Sequence, residues 1–301
     1  MSRPLFSVPR TLAVTAVAAL ALAGCGSGDG ANSGAASTDS SGYSLVKPGT
    51  LTVCTHLAYK PFEFPDASGK IVGFDVDLLD MVAKDMGLTQ ETVDVPFDQI
   101  WSGAALQSGR CDLGAAGMTM TPERANSVLF SEPYFDAEQA LITKKGSGIT
   151  NLAQMRGKKL GVQTDTTGQK YGQENAEANG YEVVVFDDLP STVNAVKAGN
   201  VDAAVNDNGV LYDFTKENPD TEVVTEFHTG EKYGIAARKD QPSGQKLIDE
   251  VNKVLQASKA DGRYKETYEK WFGTAPQSAG ETADASSSPS DAPTSVTTTA
   301  G

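Results

Sequence analysis

Two stretches of this chain repeat one order of residues: Ala104-Ala-Leu-Gln-Ser-Gly-Arg-Cys-Asp-Leu-Gly-Ala-Ala116 and Asn194-Ala-Val-Lys-Ala-Gly-Asn-Val-Asp-Ala-Ala-Val-Asn206. Each reads as the end of an apolar helix, a Gly, two residues, an Asp, and a run of small apolar residues. Gly suits the left-handed turn that ends a helix, Asp suits the turn that opens a strand, and the small apolar run suits a strand buried on both faces of a parallel sheet. Ordinary α/β grammar explains the likeness without invoking duplication. Its constraint on the fold is the same either way: two lobes built to one plan. Each lobe should have a crevice at its strand ends, where diverging connections leave backbone groups unpaired.

The two strands lead into different residues. The first runs into Gly117-Met-Thr-Met-Thr-Pro-Glu-Arg124. Gly117 lets a ligand approach the backbone, Thr119 and Thr121 bring hydroxyls, Pro122 opens a turn, and Arg124 brings a planar fork of donors that suits a carboxylate. The second runs into Asn206, Asp207 and Asn208. One crevice carries a cation and the other a carboxylate, which is the pair a free amino acid needs. The plain alternatives are a surface arginine beside a turn and, for Asp207, a helix N-cap.

Around these, Leu51–Thr55 reads as a strand, followed by a turn carrying His56, Tyr59, Pro61 and Phe62. A helix over 73–86 is predicted to bury Val76, Leu79, Ala83 and Met86. A strand over 91–95 would complete a right-handed βαβ unit, and a helix over 97–106 comes next. Gln139–Thr143 reads as the strand that leaves the first lobe. In the second lobe the pattern predicts a short capped helix over 151–155, a strand over 159–163, a helix opening after the turn 164–168, a strand over 182–185 and a helix over 191–198. A strand over 233–238 and an amphipathic helix over 244–258 then precede a last helix. Its aromatics Tyr264, Tyr268, Trp271 and Phe272 should pack the end of the chain onto the first lobe.

The ends read differently. Arg3 and Arg10, the apolar run Leu12–Ala23 and then Leu22-Ala-Gly-Cys25 form an export signal too short to span a bilayer. The tetrapeptide resembles the lipobox of bacterial lipoproteins, which implies a lipid on Cys25. The expected organisation is a signal over 1–24, a flexible tether over 25–44, lobe 1 over 45–138 plus 234–276, lobe 2 over 139–233 and a disordered tail over 277–301. The net charge of -14 argues against nucleic acid or anionic lipid as a partner. Of 3 cysteines, Cys54 and Cys111 remain once Cys25 is set aside, and an exported chain makes a disulfide between them the default guess. With 2 histidines, His56 and His228, and no ligand spacing near the thiols, neither a metal nor a cofactor is expected.

Five segments, in order, resemble one family: Tyr59-Lys-Pro-Phe-Glu-Phe64, Gly73-Phe-Asp-Val-Asp-Leu78, Ala116 through Arg124, Tyr233-Gly-Ile-Ala236 and Lys270-Trp-Phe-Gly-Thr274. The family is the solute-binding proteins of amino-acid ABC importers, which includes glutamine- and histidine-binding proteins. The resemblance covers about residues 45–276. It implies a two-lobed α/β fold of the periplasmic-binding-protein kind (type II) with two crossover strands, a non-enzymatic monomer, and delivery of a free amino acid to a membrane permease.

By residue, it implies that Arg124, the backbone and hydroxyl of Thr119 and a backbone N–H near Thr167 hold the ligand α-carboxylate. Asp207, aided by the Gly117 carbonyl, would hold the α-ammonium, and Tyr59 would cover the ligand. His56, Gln99, Gln163 and Asn206 would line the side-chain end, with Asp165 and Glu138 as further groups in reach. An Asp frequent at the His56 position in binders of basic amino acids is missing, and so is an aromatic common at the Gln99 position. The expected ligand is therefore glutamine, glutamate, asparagine or aspartate rather than arginine or lysine. Competing readings are a partner of a membrane signalling protein and an exported cyclic-acid dehydratase, in which a carboxylate or His56 would be the general acid or base.

Overall fold

Gly73 opens the first long helix from a conformation that disfavours any side chain: its φ is +147°, and a Cβ there would lie 1.9 Å from the Phe62 carbonyl oxygen. The computed structural model describes residues 43–274; the signal, Cys25 with the tether as far as residue 42, and the tail lie outside the described residues. Tyr43, assigned to the tether, packs against the core and carries Lys246 over its ring at 4.5 Å.

The chain runs through β1 (Thr50–Thr55), the short hairpin β2 (Phe64–Pro65) and β3 (Ile71–Val72), helix α1 (Phe74–Asp85) and β4 (Thr89–Asp94). β4 lies parallel to β1, with Thr50 opposite Thr89. α1 buries Phe74, Leu78 and Val82 in one row and Asp75, Leu79 and Ala83 in the next. Val76, expected on that face, falls outside both rows and is only half-buried. The helix expected over 97–106 is two, α2 (Phe97–Trp101) and α3 (Ala104–Gln107), parted by Gly103 at φ +76°. β5 (Leu113–Gly114) joins β1 in parallel. Asp112 anchors its start by accepting from the backbone N–H of Val46 at 2.8 Å and of Thr52 at 2.9 Å.

After α4 (Pro122–Ala125) and β6 (Val128–Phe130) comes β7 (Phe135–Lys144), which begins ahead of the expected division after residue 138 and pairs only within the second sheet. That lobe continues through β8 (Lys159–Gln163), α5 (Thr167–Glu174), α6 (Ala176–Asn179), β9 (Glu182–Phe186), α7 (Leu189–Ala198), β10 (Ala203–Asp207), α8 (Asn208–Glu217) and β11 (Thr221–Tyr233). The strand expected over 233–238 is divided: Tyr233 closes β11, and β12 (Ala236–Arg238) belongs to the other sheet. Helices α9 (Pro242–Asp261) and α10 (Arg263–Phe272) end the described chain.

The result is two five-stranded sheets, β4-β1-β5-β12-β6 and β11-β7-β10-β8-β9, each with its own helices. The chain crosses between them at two adjacent points, because β7 and β11 are antiparallel neighbours from Phe135 opposite Tyr233 to Lys144 opposite Thr221. Phe62 fills the crossing, its ring meeting those of Phe135 at 4.9 Å, Tyr233 at 5.2 Å and Phe272 at 5.5 Å. α10 is held over α1 by the same cluster and by Trp271, whose Nε1 donates to Asp77 at 2.7 Å.

Cys54 and Cys111 are disulfide-bonded, with Cα atoms 5.7 Å apart and a sequence separation of 57. Closing a loop of that length stabilises by about 4 kcal/mol in the chain-entropy view, and measured values usually fall at about 2–4. The Cys54→Ala, Cys111→Ala protein should therefore unfold at lower denaturant than the oxidised parent and match the reduced parent. Coinciding midpoints for all three would mean that the bridge contributes nothing.

Candidate functional site

The parallel strands aim their carboxyl ends at one space. β1 ends beside His56, β5 leads into Gly117, β8 ends at Gln163 and β10 ends at Asp207. Two of these come from each sheet.

Gly117 has φ +51°, and a Cβ there would meet the Tyr59 ring at 2.7 Å and the Tyr233 ring at 3.2 Å. Its bare backbone lets Tyr59 lie across the cleft, while its N–H donates to buried Asp75 at 3.0 Å. Further along, Thr121 caps α4 by accepting from Arg124 N at 3.1 Å, which fixes the arginine within the first turn. The buried guanidinium donates from Nη1 to the Thr119 carbonyl at 2.9 Å and from Nη2 to the Asp165 carbonyl at 2.9 Å. It thereby reaches from one lobe to the other. The Phe97 ring lies 5.1 Å from its central carbon. Burial pulls the Arg124 pKa down, opposed by the negative charges of Asp207 and Glu231.

Asp207 stands at the head of α8, but its side chain makes no capping bond. Instead its carboxylate accepts from the Tyr233 hydroxyl, from Gln139 Nε2 and from the Tyr59 hydroxyl, the last at 2.9 Å. Burial, and secondarily the charge of Glu231, raise its pKa to about 6, while these donors pull the other way. Asn206 lies beside it, 2.9 Å from the Tyr59 hydroxyl, and donates to Gln163 Oε1 at 3.3 Å.

His56, Tyr59, Gly117, Thr119, Arg124, Gln163, Thr167 and Asp207 line a single cleft. Asn206 sits just behind the lining. Gln99 is not part of it: on α2 it lies two residues from Phe97, about 200° around a helix, so the ring at Phe97 reaches the cleft instead. Glu138 turns away too, accepting from the Thr229 and Gly230 N–H groups of β11. Asp165 contributes its carbonyl. His56 donates from Nδ1 to the Val95 carbonyl at 3.1 Å, since a carbonyl can only accept, which leaves Nε2 for the cleft. Among the described residues no group of three or more metal-ligating side chains occurs.

In and around the cleft, Phe97, Glu63, Thr166, Gln139 and Glu231 escape the sequence reading. Glu63 is fully buried and lines the cleft, and burial together with Asp75 raises its pKa well above the carboxylate range. An ionised Glu63 would face no donor; protonated, it can donate to Asp75, whose own pKa burial raises to about 6. Its place in the Tyr59–Phe64 motif was the available signal, but a Glu between two aromatics reads as surface.

Two sheets, paired crossings and a cleft at facing strand ends define a two-lobed binding protein of the periplasmic type. Residues 51–274 match the bacterial extracellular solute-binding proteins, family 3, and the chain belongs to that family. It is similar to the ABC transporter glutamine-binding protein GlnH of Bacillus subtilis (strain 168), 36% identical over 211 residues, covering 68% of this chain and 74% of that protein. Among solved structures, an ancestral arginine-binding protein bound to arginine matches with a TM-score of 0.70 at 43% identity, covering 75% of this chain and 99% of the other. An ancestral arginine-binding protein bound to glutamine matches with a TM-score of 0.70 at 43% identity, covering 76% and 100%.

Proposed function

We propose that this protein captures a free amino acid between its lobes and delivers it to the membrane permease of an ABC importer, with L-glutamine as the ligand. The observation that carries the reading is the pair formed by buried Arg124 and buried Asp207, a cation and a carboxylate facing one cleft from opposite lobes. A ligand that bridges them favours the closed form by its differential affinity. A lipid on Cys25, after the lipobox-like Leu22-Ala-Gly-Cys25, would keep the domain at the outer face of the membrane.

Glutamine is supported by the side-chain end. Gln163 Oε1 is taken by Asn206, which leaves Nε2 to donate, and His56 Nε2 can accept. A donor beside an acceptor complements a primary amide, whereas a carboxylate offers only acceptors. One relative named for glutamine and one solved relative bound to it support this reading. Arginine is the second reading, favoured by the solved relative bound to arginine.

Thermal unfolding of protein freed of endogenous ligand, against the twenty amino acids singly, tests both. A ligand at about a hundredfold its Kd adds about 2.7 kcal/mol, a shift of about 5–10 degrees. A shift with glutamine supports the first reading, one with arginine alone the second, and none with any amino acid sinks the amino-acid clamp. His56→Asp should move the ranking toward basic amino acids; an unchanged ranking would make His56 a structural residue only.

A further inference from the structure

Glu231 is not among the residues lining the cleft, yet one oxygen of its carboxylate gathers the cleft floor. Oε2 accepts from Thr119 Oγ1 at 2.9 Å, from Thr167 Oγ1 at 2.8 Å and from Gln139 Nε2 at 3.1 Å. Thr119 comes after β5 in the first lobe and Thr167 opens α5 in the second, while Glu231 and Gln139 sit on the paired crossover strands. A hydroxyl has one proton, so each threonine that donates to Glu231 presents only lone pairs to the cleft. The Gln139 nitrogen that donates to Glu231 also donates to Asp207 Oδ1, so the two carboxylates lie one donor apart. Against them, among the described residues lining the cleft, stands one permanent cation, Arg124.

We infer that Glu231 is a positioning and selectivity residue: it fixes the Thr119 and Thr167 hydroxyls as acceptors, which turns the Thr119 hydroxyl to the ligand ammonium and not to the α-carboxylate that the family resemblance implies for it, and its charge excludes acidic amino acids. The inference rests on the amino-acid clamp proposed for this cleft and narrows it, since glutamate and aspartate would bring a further negative charge into a cleft already backed by Asp207 and Glu231.

The test is calorimetric titration of the full chain with L-glutamine and L-glutamate. Glu231→Gln keeps an acceptor oxygen and removes the charge. It should narrow the gap between the two affinities about tenfold, the scale of one charge several ångströms away in a partly screened site. An unchanged ratio in the folded variant overturns the inference. Should that variant fail to fold, Glu231→Asp keeps the charge and withdraws the oxygen. It must then weaken glutamine about tenfold with the ratio at its wild-type value, and any other pattern overturns the inference. If the wild-type ligand is arginine, Glu231→Gln must weaken arginine relative to its neutral isostere citrulline by a like factor, and no change overturns it. Wild-type protein that binds no amino acid sinks the parent reading, and this one with it.

Discussion

Arg124→Ala should weaken amino-acid binding by about 2–5 kcal/mol, the range for truncating one partner of a buried, hydrogen-bonded charge pair. Two effects combine. The ligand carboxylate would enter a cleft stripped of its fixed cation, and the bond from Arg124 to the Asp165 carbonyl, which joins the lobes, would be lost. Arg124→Lys should fall between the two, because an ammonium on a flexible stem cannot serve the Thr119 and Asp165 carbonyls while stacking on Phe97. Calorimetry decides the point. Affinity within a factor of two of the parent, in a variant with parental circular dichroism, would remove Arg124 from the clamp.

Asp207→Ala should cost a comparable 2–5 kcal/mol, and Asp207 adds a dependence on pH. In the ligand-free protein its pKa is raised to about 6, and an ammonium ligand favours the ionised form. Affinity should be full above that pH and decline as pH falls through it, by up to about tenfold per unit when one proton is taken up. For folding the sign is reversed. A carboxyl whose pKa is raised on folding contributes stability that is present below its unfolded value and lost as pH rises through about 6, so the ligand-free protein gains stability from this group on mild acidification. Asp75 titrates in the same range but lies behind Gly117. The Asp207→Asn protein separates the two: its residual affinity should lack the acid limb, and a limb that persists would assign it to Asp75.

Much of the architecture can be read from the chain because its punctuation is local. Lys159–Gln163 is a strand with the predicted bounds, and Gly199 ends α7 at φ +76° as the repeat requires. The features that escape the sequence depend on distant parts of the chain. β11 is mostly half-buried and breaks register between Val223 and Thr225 and again between Phe227 and Glu231, so no alternation runs its whole length to announce a strand. That Arg124 and Asp207 come to the cleft is legible because each follows a short apolar strand in a crevice position. Gln139 and Glu231 were not, since a polar residue on a crossover strand looks like any solvent-facing one until the facing strands are known. Gln99, which the family resemblance puts at the side-chain end, does not line the cleft; a ring two residues earlier, at Phe97, does.

The two crossings have a mechanical consequence. Tapes bonded side by side bend and twist readily but resist sliding past one another, so the pairing of β7 with β11, bulged twice but running from Phe135 to Lys144, leaves the lobes little freedom except to tilt. Solutes of different size could then change how often the jaws are shut more than the shape they make when shut. Whatever reads the outside of this protein would receive nearly a binary message, with the identity of the cargo hidden within it.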